Sequence, residues 1–497
     1  MKFLQKNNSL WFSWLITLTF FVIYGLISFW NHHVFRSFAY DLGIKNQTIW
    51  DYAHLRMNYN SVLAETNGEI NVLANHFEPV LMLFSPLYYI FGSYTLLVVQ
   101  IAFILIGGWG VRKIIIHANG NEWLAALAQT SFYSFWGFIG ALSFDFHTNV
   151  IAAAAVPWLV AFAFENKFWK AFGVLLFIVL CKENMALWAV FISLGIAFHL
   201  RKEKKQSVRF LMLAAFSTLC FVMIMAVIMP YFSDGKLGYL HFKYAALGPD
   251  MPSAIKTLLF NPGKWFPLLW EGIPNSSDPF LRDSKIWLYE YLFLCGGILL
   301  LFRPGFLIML VPVLAQKLFS DDPIRWGIFS HYSVEFAPIL IVGAFLVIAD
   351  LKLWKTQILA GFLLLISIAD VSKDLMDRWQ PHPYKNTSVN VYLKKHYLRE
   401  ISYDVYHSVL DYYIPPNASV SAVSYMVPHL AFRKKIYQFP TIKDAEYIVI
   451  CDDRRNYYPF EADGRDAFKS VKEKLENDSI YQPVFKDKRL LILQRRF

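Results

Sequence analysis

One kind of stretch recurs along this chain and narrows what it can become: runs of roughly 17 to 22 residues without a charged side chain. That is about what a helix needs to cross some 30 Å of hydrocarbon at 1.5 Å per residue. The first run, Leu10 to Trp30, is too long for a signal-peptide core and is followed by Asn31, His32 and His33 instead of a small-residue cleavage site. It is expected to remain as an anchor. With 56% of the 497 residues hydrophobic and 18% aromatic, the composition is that of a polytopic membrane protein, not a soluble one. A window of about 19 residues finds further stretches near 94–111, 122–140, 149–164, 168–181, 184–200, 209–230, 286–302, 305–319, 333–349 and 357–370. The expectation is a polytopic α-helical protein of about eleven spans.

The basic residues set the expected orientation. Lys2, Lys6, Arg112, Lys113, Lys167, Lys170, the cluster RKEKKQSVR at 201–209, Arg303, Lys352 and Lys355 all fall in alternate loops, which places those loops and the N-terminus on the cytoplasmic side. An odd number of spans then puts everything after about 371 outside. Two domains are expected: 1–371 within the cytoplasmic membrane, with a long first outer loop at 31–93, and 372–497 as a small extracytoplasmic α/β domain. The latter rests on strand-like ASVSAV and AEYIVICDD, a helical GRDAFKSVKEKLEND and a closing hairpin, YQPVFKDKRLLILQRRF. The net charge of +10 reflects this sorting and a basic tail, and no nucleic-acid partner is expected. Cys181, Cys220, Cys295 and Cys451 form no CxxC and are expected as free, buried thiols. There is no phosphate-cradling glycine loop and no internal repeat.

Under that topology the chemistry-bearing side chains collect on the outer face. Asp41, His76 and Glu78 lie in the first outer loop; FDFH brings Asp145 and His147; CKEN brings Lys182 and Glu183; DDPIRW and HY bring Asp321, Asp322, Arg325, His331 and Tyr332. An ionisable group at bilayer depth costs on the order of 2.5 to 3.5 kcal/mol, so such groups persist where they pair or line a wet cavity. Each has a plainer explanation. Asp41 precedes a short helix it could cap, and Asp145 could cap the helix beginning near Asn149. Lys182 and Glu183 could be turn charges reaching the interface, and His76 and His147 interfacial side chains without a ligand. The grouping on one face is harder to dismiss than any single residue.

Phe38, DLG at 41–43, Gln47, Trp50, LANHFEP at 73–79, PLY at 86–88, Gln100, FDFH at 144–147, KEN at 182–184, HY at 331–332, PPNASVSA and VPHLAFRKKIYQFP together resemble the membrane proteins grouped as the domain of unknown function 2079 family. The match runs in order over most of the chain. Where that family usually has Lys-Glu-Asp, this chain reads Lys182-Glu183-Asn184, which removes the third acid. The family is similar in plan to the C-type glycosyltransferases (GT-C), multispan enzymes with a catalytic acid in the first extracytoplasmic loop.

The resemblance implies a GT-C-like inverting transferase using a polyprenyl-phosphate sugar donor and a lipid or glycan acceptor at the outer face of the membrane. Asp41 occupies the place of the base that takes the acceptor proton. Lys182 and Arg325 are the cations for the donor phosphate, and His76, Glu78, Asp145, His147, Glu183, His331 and Tyr332 complete the expected binding surface. A divalent cation bridged by Asp145, His147 and Glu183 is conceivable, although mixed sets of this kind are common without metal. The alternatives are a transporter or lipid flippase, which would hold its charges nearer the bilayer midplane, and a noncatalytic scaffold or receptor acting through the tail.

Overall fold

The computed structural model describes residues 2–65, 70–233, 239, 241–378, 387–453, 457–460 and 464–496. The apolar stretches are largely helical, as a segment in lipid must satisfy its backbone groups internally, though 122–140 is interrupted at Ser134 and Phe135 and 286–302 at Cys295 and Gly296. Among the described residues three helical segments are long and apolar enough to cross a membrane: Ser9–His33, Leu81–Asn119 and Lys204–Phe232. Shorter apolar helices cover Thr148–Phe164, Phe168–Cys181, Glu183–His199, Pro304–Leu318 and Phe336–Ala349. The second long segment joins what the sequence suggests are two pieces. FEPVLMLFSPLYYIFG winds into four short turns from Leu81 to Tyr94, bends at Pro86 and at Gly92 (φ +52°), and runs on into the Thr95–Asn119 helix.

The basic helix ends meet one another. Lys113 and Lys167 both pair with Glu165, each at 2.6 Å; Arg112 pairs with Glu122, Arg303 with Asp350, and Arg209 reaches Asn166. Helices that begin or end there carry the candidate residues at their other ends. Thr148–Phe164 starts at His147 and finishes beside Glu165, while Lys182 is a single extended residue (φ −165°, ψ 155°) between Phe168–Cys181 and Glu183–His199.

Short strands β1 (Tyr59–Asn60) and β2 (Ile70–Asn71) pair in the first loop. A second sheet lies in the tail, from β3 (Val420–Ala422), β4 (Ile436–Gln438), β5 (Tyr447–Cys451), β6 (Tyr481–Lys486) and β7 (Leu490–Arg495), in the order β4-β3-β5-β7-β6. β3 is parallel to β4 and β5, and β7 is antiparallel to β5 and β6. β5 is buried along its whole length, as its unbroken apolar run requires. One apolar cluster joins this sheet to the first loop: Phe35, Phe38, Ala39, Ile44, Val62 and Val72 pack with Tyr406, Tyr425, Val427, Ile448, Phe468 and Leu491. Polar ties follow the same seam. Arg36 donates to the carbonyls of His396 and Leu398, both at 2.7 Å, and Asn46 donates to that of Pro428 at 3.0 Å. Arg399 donates to Val34 O at 2.6 Å and pairs with Asp453 at 2.9 Å, both side chains buried.

Four imidazoles line this seam. His32 stacks on His429 with centroids 4.0 Å apart, His33 lies over His407 at 5.2 Å, and Phe35 wedges against His407 and His429 at 4.4 and 4.5 Å. Asp404 is 3.3 Å from His33, and Asp411 also bears on His407. Burial first, then the neighbouring imidazoles, push His429 well below its ordinary value; burial does the same in direction for His407. The folded seam therefore binds protons more weakly than the unfolded chain, whose imidazoles titrate near 6.5. The seam's stability is full above that value and is lost as pH falls below it. The Tm of the detergent-solubilised chain should drop between pH 7.5 and 5, and substitution of His407→Gln together with His429→Gln should flatten that drop.

Candidate active site

Asp41 lies within a π-type turn, Ala39–Gly43, that runs straight into the Ile44–Ala53 helix. The N-cap positions are Phe38 and Gly43, so Asp41 is not the cap its sequence position allows. Its carboxylate meets His147 Nε2 at 3.1 Å and is 20% exposed, against 5% for the imidazole. The His147 ring in turn stacks on His331, with centroids 3.5 Å apart and planes 13° from parallel. The backbone permits that stack through two glycines in the Trp136–Leu142 helix. A Cβ on Gly137 would sit 2.6 Å from Ser333 O and one on Gly140 2.8 Å from Ser330 O, so only hydrogen atoms let the 330–333 loop lie this close.

Asp145 is a brace. It holds a left-handed backbone (φ +67°), and its Oδ2 accepts the Phe38 N–H at 3.0 Å, three residues before Asp41. Its own carbonyl accepts from Gln100 Nε2 at 2.9 Å, while Gln100 Oε1 accepts the His147 N–H at 2.9 Å. The helix after this turn has His147, not Asp145, at its N-cap position.

Glu78 is buried beside Lys45, with which it forms an ion pair, and its other oxygen accepts from Thr148 Oγ1 at 2.6 Å. Burial opposes its ionisation, but Lys45, His76 and Lys182 outweigh that and hold the carboxyl at about 2. Glu183 accepts from three donors: His76 Nδ1 at 2.9 Å, Phe77 N–H at 3.1 Å and Tyr239 O–H at 3.0 Å. His76 stacks on His241 at 4.0 Å, and His241 Nε2 lies 2.9 Å from Asn75 Oδ1. Burial and then Lys182 push His76 well below its ordinary value, and burial and then His76 push His241 down to about 2. Lys182 itself, half-buried, makes no ion pair among the described residues.

Arg325 ends a short turn, Pro323–Arg325, capped by the Asp322 side chain on Ile324 N–H at 3.1 Å. Its guanidinium lies over the Tyr332 ring at 5.6 Å and is 3.8 Å from Asp322. Asp321 accepts from the backbone N–H groups of Ala245 and Ala246, tying this loop to 241–246. Burial lifts the Tyr332 phenol to about 12, with Arg325 pulling down and Asp41 pushing up. Tyr332 is thus within electrostatic reach of both the acid and the arginine, as Tyr239 is of both Arg325 and Glu183. All ten sequence-selected side chains belong to one connected neighbourhood.

Their duties nevertheless divide. Asp145, Glu78 and Glu183 accept from the protein's own donors, whereas the Asp41 carboxylate is partly exposed beside His147, Lys182 is half-buried, and Arg325 lies between Asp322 and the Tyr332 ring. Asp145, His147 and Glu183 do not form a metal set: each is engaged with a different partner, and no group of three metal-ligating side chains converges among the described residues. Five contributors escaped the motif reading. Lys45 had a signal, since it follows Asp41 by four residues on one helical face, and Thr148 directly follows His147. Gln100 was noted only as part of the resemblance. Tyr239 and His241 sit in a loop with no pattern to mark them.

Apolar helices of spanning length, with their charged groups gathered at helix ends, define a helical membrane protein. A family model described as predicted membrane protein, DUF2079, matches residues 31–484, and the chain belongs to that family. No curated protein matches it.

The Lys45–Glu78 pair makes a direct test. Glu78's folded value lies below its ordinary 4.5, so the stability it contributes is full above 4.5 and is lost as pH falls toward about 2. Lys45→Met strands a buried carboxylate and should destabilise the chain by about 3 to 5 kcal/mol, whereas adding Glu78→Met should restore much of the loss. Thermal unfolding of the two variants at pH 7 distinguishes them.

Proposed function

We propose that this protein is a glycosyltransferase of the C type, moving a sugar from a polyprenyl-phosphate donor to a lipid or glycan acceptor at the outer face of the cytoplasmic membrane. The observation that carries the reading is Asp41: a partly exposed carboxylate beside His147, within the electrostatic neighbourhood that also contains Lys182 and Arg325. In the step envisaged, the acceptor hydroxyl gives its proton to Asp41 as its oxygen attacks the sugar's anomeric carbon. The bond from that carbon to the phosphate oxygen breaks on the opposite face, with inversion. The electron pair leaves with the phosphate, whose charge Lys182 and Arg325 stabilise. The His147–His331 stack fixes the carboxylate's direction, so the base needs no reorganisation when substrate arrives.

The reading includes an arrangement in the membrane: about eleven spans, the N-terminus and the basic helix ends in the cytoplasm, and the tail from about 372 outside as an α/β domain. The meeting of basic ends opposite the Asp41 neighbourhood supports it. Membrane-impermeant labelling at position 203 and at the C-terminus should report opposite sides. Labelling of both from one side would remove the shared outer face on which the mechanism depends.

Asp41→Asn keeps size and hydrogen bonding but loses the charge. It should leave expression and Tm unchanged, preserve binding of a polyprenyl-phosphate ligand, and lower turnover by about two orders of magnitude or more. Lys182→Met should instead weaken donor binding, because the phosphate loses a partner in a partly desolvated site. Full activity of Asp41→Asn would refute the assignment. Unchanged binding with no turnover in the unmodified protein would favour the scaffold reading, and vectorial movement of the lipid without transfer would favour the flippase.

A further inference from the structure

A cavity in the tail has a chemistry unlike that of the Asp41 neighbourhood. It is an open groove of about 620 Å³ lined by Asn417, Ser419, Lys434, Lys435, Asp444, Glu446, Arg495 and Arg496, without a single apolar side chain. It lies at the edge where β3, β4 and β5 begin and β7 ends. The opposite edge, at the strands' carboxyl ends, is taken up by the Asp41 turn: Ser424 Oγ accepts the Ala39 N–H at 3.4 Å, and a Cβ on Gly43 would stand 2.8 Å from Val427.

The two acids in the cavity are spent on its walls. Glu446 accepts the Ser419 N–H at 2.7 Å and its hydroxyl at 3.3 Å. Asp444 pairs with Lys435 and accepts the Tyr437 hydroxyl at 2.5 Å. Lys434, Arg495 and Arg496 make no ion pair among the described residues, so with Asp444 set against Lys435 and Glu446 still charged the lining carries a net charge of +2 from two distant segments. A concave surface of one net sign raises the local concentration of ligands of the opposite sign. A membrane surface is a poor candidate, because lipid-binding patches mix cations with apolar side chains that enter the bilayer, and this lining has none. A polar, concave lining of this volume suits a hydroxyl-rich chain carrying fixed negative charges.

We infer that this groove binds an anionic oligosaccharide, its carboxylate or phosphate groups held by Lys434, Arg495 and Arg496 and its hydroxyls by Asn417. Gln47, on the helix that follows Asp41, donates to Lys434 O at 3.2 Å, so the groove is joined directly to the element bearing the acid. Binding here holds whether or not Asp41 is a base, and can be measured without turnover.

The test uses the full chain in neutral detergent and fluorescent hexagalacturonate as probe, with a neutral maltohexaose of the same length as control. Hexagalacturonate should bind in a salt-sensitive manner and maltohexaose should not. Combined Lys434→Gln, Arg495→Gln and Arg496→Gln should weaken binding roughly tenfold or more, as expected when the unpaired cations facing a polyanion are removed; Asp41→Asn should leave it unchanged. These residues are exposed, so the variant should keep the parent Tm. Absent binding, or binding indifferent to the triple substitution, overturns the inference. So does full displacement by equimolar inorganic phosphate, which would mark a simple anion site, or capture of anionic vesicles in place of the oligosaccharide.

Discussion

The buried pair between Lys45 and Glu78 is the constraint on which the neighbourhood of Asp41 is built. An isolated charge in such surroundings costs several kcal/mol, so neither side chain tolerates a fold in which the other is displaced. The pair and Thr148 bring three segments to one point: the helix after Asp41, the segment 76–80, and the start of the Thr148–Phe164 helix. Lys45 is four residues from Asp41 and Thr148 is one from His147. Satisfying Glu78 therefore sets the distance across which Asp41 and His147 meet, much as a clamp behind a hinge sets the opening in front of it.

A second layer of order is in the backbone. Asp145 at φ +67° and Ser330 at φ +61° sit in a left-handed region that side chains rarely adopt, and each adjoins a ring of the His147–His331 stack. Such strain persists where surroundings over-determine it. Here the surroundings are visible: Gln100 grips the first turn from both sides, and the glycine face of the Trp136–Leu142 helix admits the second.

How much of this was legible follows from the kinds of force involved. Helices could be read because lipid demands long apolar runs, and the candidate residues because charge among such runs is conspicuous. What sequence could not show was division of labour. Asp41 and Asp145 look alike as outer-loop acids, yet one faces a histidine with part of its surface open while the other is consumed by the Phe38 N–H. Glu78 and Glu183 look like substrate ligands and are satisfied internally. These assignments depend on contacts between residues about 70 to more than 100 positions apart, for which a single sequence carries no periodicity. The shared core of first loop and tail is equally hidden from sequence, because nothing local links Phe35 to the residues of the tail that it packs against.

That shared core bears on what sort of machine this is. Alternating access needs repeats or bundles that rock past one another around a site. The Asp41 turn is instead fastened on several sides: by Asp145 to the FDFH turn, by Lys45 to Glu78, by Ala39 to Ser424, and by the packing of Gly43 against Val427. Moving Asp41 relative to His147 would break buried hydrogen bonds in three parts of the chain, each costing about 1 to 3 kcal/mol when left unmade. A charge so fixed is poorly suited to travel and well suited to be waiting in place, which is what a general base requires. Under the proposed reading it is the substrate, not the Asp41 turn, that would have to move.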